Sequence, residues 1–149
     1  MIAYADTSWW FAYKCSDDAN HPRAIRMLGG LEDVDAVIWT PWQRVEVFNA
    51  FRQAERSGII AQGKARELIR ALEMEIRLGY WRHVEFDWMD AVRTACELSA
   101  EHGLQTIVRG MDLFHVAVAI ESASALFLTF DREQAAFAKR AGLRLLSSK

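Results

Sequence analysis

Cysteine and proline are scarce in this sequence, two of each in 149 residues. Cys15 and Cys96 fall in separate helical stretches with no C-x-x-C pairing, which excludes a redox motif and a zinc knuckle and predicts reduced, buried thiols. Two prolines and eight glycines exclude a collagen-like or low-complexity chain. No apolar run approaches the roughly eighteen residues of a membrane-spanning helix, and MIAYADTSWW has no basic segment ahead of an apolar stretch. A soluble cytoplasmic protein with no membrane contact is therefore expected. Strong charge of one sign is also missing: the formal net charge is −2, which excludes a generic polyanion binder. There is no Ser-His-Asp order and no glycine-rich phosphate loop, and the histidines at 21, 83, 102 and 115 have no metal-ligand spacing.

With 52% hydrophobic and 26% charged residues, the composition is that of an ordinary globular chain. Its length fits one domain, residues 1–149, which at this size buries about 70% of its extended surface without disulfide or metal staples. The basic residues are unevenly placed. Fourteen are arginine and four lysine, and Pro41 to Arg82 holds eight basic against five acidic residues, a local excess of three. Such a segment is either a set of solvated helix faces or a phosphate-facing surface, since arginine binds phosphate oxygens in bidentate fashion.

The pattern along the chain alternates strands with helices. Ile2 to Ala5 reads as a buried strand, followed at once by Asp6 and a helix to about Lys14. Pro22 opens a second helix ending at Gly29-Gly30, Ala36 to Thr40 is a β-branched and aromatic strand, and Pro41 opens a helix to about Ser57. Further helices are expected over Gln62 to Leu78 and Trp88 to His102, with a short strand from Tyr80 to Phe86 between them. Asp112 to Ser122 is apolar nearly all round and so packs inside protein. Ala125 to Phe130 is a buried strand, Arg132 to Ala141 a helix, and Leu143 to Leu146 a last strand. This alternation predicts a parallel sheet covered on both faces.

Four acids stand out against that framework. Asp6 and Asp131 each follow a buried strand directly, at the carboxyl edge where open α/β sheets bind ligands. Either one alone is also a plain turn or N-cap residue. Asp112 opens the apolar helix, again a position where an N-cap is the ordinary reading. Glu46 shares a helix face with Asn49, Ala50 and Gln53, away from the stripe of Val47, Phe51 and Ala54, and alone reads as solvated. Thr129 lies on the strand face of Asp131, where it either holds a ligand or bonds backbone. Thr7 and Ser8 are positioned as helix caps. His115, three residues after Asp112, reads as a packing or hydrogen-bonding side chain.

Together the acids matter only if the fold gathers them, and electrostatics then constrains the rest. Two carboxylates about 4 Å apart repel by roughly 4 kcal/mol at an effective dielectric of 20. No lysine neighbours these acids in sequence, and Arg109, three residues before Asp112 and the candidate counter-charge, cannot alone balance four acids. An all-oxygen set of this kind suits Mg2+ or Mn2+ rather than zinc, and the chemistry of such sites is phosphoryl transfer.

Four segments, YADTSWWFA, RVEVFNAFR, MDLFHVAVAIE and LFLTFDREQAAFAKRAGLRLL, occur in this order, and together they resemble the PIN-domain ribonucleases, most closely the VapC-type toxins of prokaryotic toxin–antitoxin pairs. The resemblance spans nearly the whole chain. It implies a three-layer α/β/α fold around a parallel sheet and Mg2+- or Mn2+-dependent cleavage of RNA. Asp6, Glu46, Asp112 and Asp131 would be the metal ligands, with Thr129 beside them in the catalytic set. It also implies frequent homodimerisation and a cognate antitoxin seated in the active-site groove. The alternative of a different class is the same fold kept as a non-catalytic RNA- or protein-binding module.

Rival magnesium-dependent folds fit less well. A haloacid-dehalogenase-like phosphatase needs an acid where Ser8 stands, a receiver domain needs a paired acid near the first strand, and a ribonuclease-H-like nuclease opens with hairpins. The departure from the family is a tryptophan load around the first two motifs, at 9, 10, 39 and 42. Adjacent helix positions point about 100° apart, so Trp9 and Trp10 are not expected both to enter the core. The outer ring would then face an antitoxin helix, a second subunit or a stacked base.

Overall fold

The computed structural model describes residues 1–31, 34 and 36–146. In chain order the elements are β1 (Ile2–Ala5), α1 (Thr7–Lys14), α2 (His21–Gly29), β2 (Ala36–Trp39), α3 (Pro41–Arg56) and α4 (Lys64–Arg77). They continue with β3 (Arg82–His83), α5 (Trp88–His102), α6 (Gly110–Glu121), β4 (Leu126–Leu128), α7 (Arg132–Arg140) and β5 (Arg144–Leu145). The strands form one parallel sheet in the order β3-β2-β1-β4-β5. The chain leaves β1 toward β2 on one side and places β4 on the other, so the order reverses between β1 and β4. At such a switch point the loops leaving the two strands diverge and open a crevice.

Strand alternation sorts the core into two layers. Ala3, Ala5, Val37, Trp39, Leu126 and Leu128 face one way and pack beneath α1 to α4. Tyr4, Ile38 and Phe127 face the other way and pack beneath α5 to α7. Every inward position is apolar on both sheet faces, which is the pattern a parallel sheet buried on both sides requires. The three-layer α/β/α expectation therefore holds.

Several local expectations need correction. Trp9 and Trp10 are both wholly buried, at 0% exposure. The 100° argument fails because α1 packs against α2, α3 and the sheet together, and Trp81 closes over it from the segment after α4. Cys15 is buried, but Cys96 is exposed on the outer side of α5. The strand expected over Tyr80 to Phe86 is paired only at Arg82 and His83, because it lies at the sheet edge and has a single neighbour. The last strand is likewise reduced to Arg144 and Leu145.

Candidate active site

The carboxyl ends of β1 and β4 lie side by side, with Ala5 opposite Leu128 and the Asp6 N–H donating to the Leu128 carbonyl at 3.0 Å. This pairing brings Asp6 and Asp131 to the same edge. Two buried glutamines bring the other acids in. Gln43 forms a capping box with Thr40 at the start of α3 and donates from Nε2 to the Ala5 carbonyl at 2.6 Å. It thereby ties α3 to the end of β1, and Glu46 sits one turn further on. Gln134 donates from Nε2 to the Asp112 carbonyl at 2.9 Å, tying α7 to the start of α6. The sequence reading missed both. T-P-W-Q is a capping-box signature that points to Gln43, whereas Gln134 has no signal beyond its place three residues after Asp131.

Asp6, Glu46, Asp112 and Asp131 all line one cavity of about 490 Å³, together with Thr7, Ser8, His115, Phe11, Ala50 and Phe130. Four separate chain segments thus deliver acids to one crevice. Glu46 is not the solvated residue its helix face suggested when taken alone, since that face borders the cavity through Ala50. Asp112 is not a cap. The helix begins two residues earlier, with Arg109 at the N-cap position, so Asp112 occupies the third helical position and is free to face the cavity.

Asp6 is the most confined of the four, at 4% exposure. Its Oδ1 accepts from the Ser8 hydroxyl at 2.6 Å and from the Trp9 N–H at 3.1 Å, capping α1. Its Oδ2 accepts from the Thr129 hydroxyl at 2.5 Å. A carboxylate offers about four lone-pair sites, so this arrangement fixes its plane and leaves Oδ2 one further direction for a ligand. Burial raises the Asp6 carboxyl above its ordinary range, opposed by His115 and by the hydrogen bonds from Ser8, Thr129 and Trp9. Ser8 also accepts from the Phe130 N–H at 2.9 Å, and Thr129 accepts from the Asp131 N–H at 3.0 Å. The two hydroxyls stitch the ends of β1 and β4 together; capping α1 falls to Asp6 instead.

Asp131 caps α7 by accepting from the Gln134 N–H at 2.9 Å, so its ordinary structural role and its place in the cavity coexist. Burial raises the Asp112 carboxyl, and the negative charge of Asp131 raises it further; Asp6 adds to this, while His115 and Arg109 oppose it. Glu46 goes the other way. Its interaction with His115 holds the carboxyl below the usual range, against a smaller upward push from partial burial. The His115 Nε2 to Glu46 Oε2 distance is 3.9 Å, longer than a hydrogen bond, so the contact as placed is electrostatic. Among the described residues no three His, Cys, Asp or Glu side chains close around a single point. The four acids line a wall rather than a finished coordination shell.

Residues 3–142 match the family model of the PIN domain. No curated protein matches the chain in sequence. Among solved structures, the chain is similar to VapC20 of Mycobacterium tuberculosis, described as a Sarcin-Ricin loop cleaving toxin. That likeness has 20% identity over 90% of this chain and 93% of that one, with a TM-score of 0.65. VapBC2 of Rickettsia felis, bound to a DNA fragment from its promoter, is similar at 15% identity over 97% of both chains, with a TM-score of 0.68. VapBC-1 of nontypeable Haemophilus influenzae is similar at 12% identity over 99% and 98%, with a TM-score of 0.69. At these identities the likeness is one of fold.

Proposed function

Since the chain belongs to the PIN-domain family, we propose that it is an endoribonuclease dependent on Mg2+ or Mn2+ and the toxin of a VapBC-type toxin–antitoxin pair. The observation that carries this reading is the arrival of four carboxylates, from β1, α3, α6 and the end of β4, in one cavity at the switch point of a parallel sheet. A pocket so anionic repels a phosphodiester unless a cation stands between them, and an all-oxygen donor set selects a hard divalent ion.

Asp6, Glu46, Asp112 and Asp131 would hold the ion. Asp6 is preset by Ser8 and Thr129, while Asp112, part-exposed, keeps the rotamer freedom to turn toward it. The ion would supply positive charge at the phosphate and make a water acidic enough to attack it. Thr129 acts through Asp6 by donating its hydroxyl to Oδ2, and so orients a ligand. The RNA backbone would approach past Phe11, Ala50 and Phe130. Arginines of the Pro41 to Arg82 segment are candidates for phosphate contact. Arg44 is already paired with Glu73 at 2.8 Å, whereas Arg56 borders a second, more apolar hollow that shares Phe11, Asp18 and Ala50 with the acid cavity.

The partners in this reading are an RNA substrate, a cognate antitoxin and a second copy of the chain. VapBC2 and VapBC-1, whose fold the chain shares, are toxin–antitoxin systems. An antitoxin segment would lie along the paired hollows at the acid pocket. For the homodimer, α5 leaves Trp88, Met89 and Val92 exposed, apolar side chains that a second copy would cover. Acting on RNA, the protein would work in the cytoplasm; among the described residues no helix is long and apolar enough to cross a membrane.

The deciding experiment is degradation of a labelled RNA with Mn2+ or Mg2+, with Asp6→Asn as control. Cleavage by the natural chain that is lost in Asp6→Asn and in chelator is the expected result. Equal cleavage by both proteins would expose contamination and leave the non-catalytic module as the better reading.

A further inference from the structure

α6 is apolar on nearly every side, yet it carries one wholly internal polar side chain, His115, at 2% exposure. A buried imidazole needs partners for both ring nitrogens. Nδ1 lies 2.8 Å from the hydroxyl of Tyr4, which is itself 0% exposed in the middle of β1. Nε2 looks the opposite way, into the acid cavity, 3.4 Å from the Thr7 hydroxyl and 3.9 Å from Glu46 Oε2. Trp42 lies against the ring with its centroid 5.8 Å away.

The direction of this hydrogen bond follows from what faces the other ring nitrogen. Glu46 Oε2, which as a carboxylate can only accept, lies on the Nε2 side of the ring at 3.9 Å, so Nε2 carries the proton and Nδ1 the lone pair. The Tyr4 O–H is then left to donate, and His115 Nδ1 is the acceptor in reach. An imidazole that accepts at Nδ1 carries its proton on Nε2. The reverse tautomer would aim an Nε2 lone pair at the Glu46 carboxylate, lone pair against negative oxygen.

We infer that Tyr4 and His115 are positioning residues, a buried relay that presents an N–H to Glu46 and sets the direction in which that carboxylate faces the ion. The inference rests on the proposed metal-dependent reading of the cavity. Among the described residues His115 is the one hydrogen-bonding or ionic partner of Glu46, while Asp6 and Asp131 are each held by hydrogen bonds of their own. His115 thus supplies for Glu46 the orientation that Thr129 and Ser8 supply for Asp6. Such outer partners typically set metal affinity by about 10- to 100-fold.

The test is Mn2+ binding by calorimetry to the full chain, with folding checked by circular dichroism. His115→Leu is expected to weaken Mn2+ about 10- to 100-fold. His115→Gln, which can present an amide N–H at the same place, is expected to recover most of that loss, and Tyr4→Phe to fall between. In a Glu46→Ala background, the further change His115→Leu is expected to alter affinity by no more than about twofold, because the partner it acts through has gone. An equal loss in both backgrounds marks a merely structural histidine and overturns the inference, as does unchanged affinity in folded His115→Leu or Tyr4→Phe. Long-range proton–nitrogen correlation spectra of the ion-free protein give an independent reading: a proton on Nδ1 rather than Nε2 overturns the relay whatever the metal does. If the natural chain fails to bind Mn2+ at all, the metal-dependent reading falls and the proposed role toward the ion falls with it.

Discussion

α1 serves two regions of opposite character. Its first turn, with Asp6, Thr7 and Ser8, borders the acid cavity, while Trp9, Trp10 and Tyr13 run into a dry aromatic cluster with Trp39 and Trp81. In the cluster, Trp10 meets Trp9, Trp39 and Trp81 edge-on, with centroids 5.0–5.1 Å apart. Glu75 fastens the outer edge by accepting from the Trp81 Nε1–H at 2.8 Å and from Lys14 Nζ at 2.5 Å. Burial, with Glu75 adding, pushes the Tyr13 hydroxyl up to about 12. The cavity, by contrast, gathers like charges: burial raises the Asp112 carboxyl, and Asp131 and Asp6 raise it further. One end of the helix supplies rigidity and the other tolerates repulsion, so substitutions at the two ends should differ in sign as well as size.

The largest effect is expected in the cluster. Trp10→Ala removes a fully buried indole and should cost about 3–5 kcal/mol, a large share of the roughly 5–15 kcal/mol that holds such a domain together. Urea denaturation measures this directly. A loss below about 1 kcal/mol would mean that the neighbouring rings collapse into the space, and the cluster would no longer count as the anchor of α1.

Between the two regions stands Ser8. Its hydroxyl donates to Asp6 and accepts from the Phe130 N–H, so Ser8→Ala leaves a part-buried amide unpaired and removes one of the two hydrogen bonds to Asp6 Oδ1. A cost of about 1–2 kcal/mol is expected, read as a fall in melting temperature of roughly 2–8 °C. Ser8→Thr should keep most of it. No difference between Ala and Thr would show that the stitch between β1 and β4 contributes nothing.

The sequence made the alternation of elements legible because each strand is a short apolar run and each helix has a clear stop, such as Gly79 and Gly142, both with positive φ. The acids at 6, 46, 112 and 131 could be picked out because two of them end strands and the others fit a motif order. What could not be read was how many neighbours cover a helix. Trp9 and Trp10 both fit inside because three elements surround α1, information held in tertiary contacts rather than in helical period. Edge strands were overestimated for the same reason: β3 and β5 have the composition of strands but only one partner each. His115 read as an ordinary packing or hydrogen-bonding residue and Gln43 was passed over, since their importance lies in what they face in the fold.

The smallest and sharpest contrast lies within the cavity itself, in chelator. Asp112 has its carboxyl raised above 3.8 in the folded state, so its protonated form favours folding. The stability it contributes is fully present below about 3.8 and is lost as pH rises through the raised value. Asn does not titrate. Asp112→Asn should therefore melt with the natural chain near pH 3.5 and above it near pH 7, by a few tenths to about 1 kcal/mol given its partial exposure. Glu46 has the opposite sign: lowered below 4.5, it contributes stability at neutral pH that is lost as pH falls, so Glu46→Gln should melt lower near pH 7 and converge in acid. Both variants should lose RNA cleavage. If Asp112→Asn melts several degrees below the natural chain at neutral pH, the acids do not crowd one another; if the two variants shift together, His115 does not distinguish Glu46 from its neighbours.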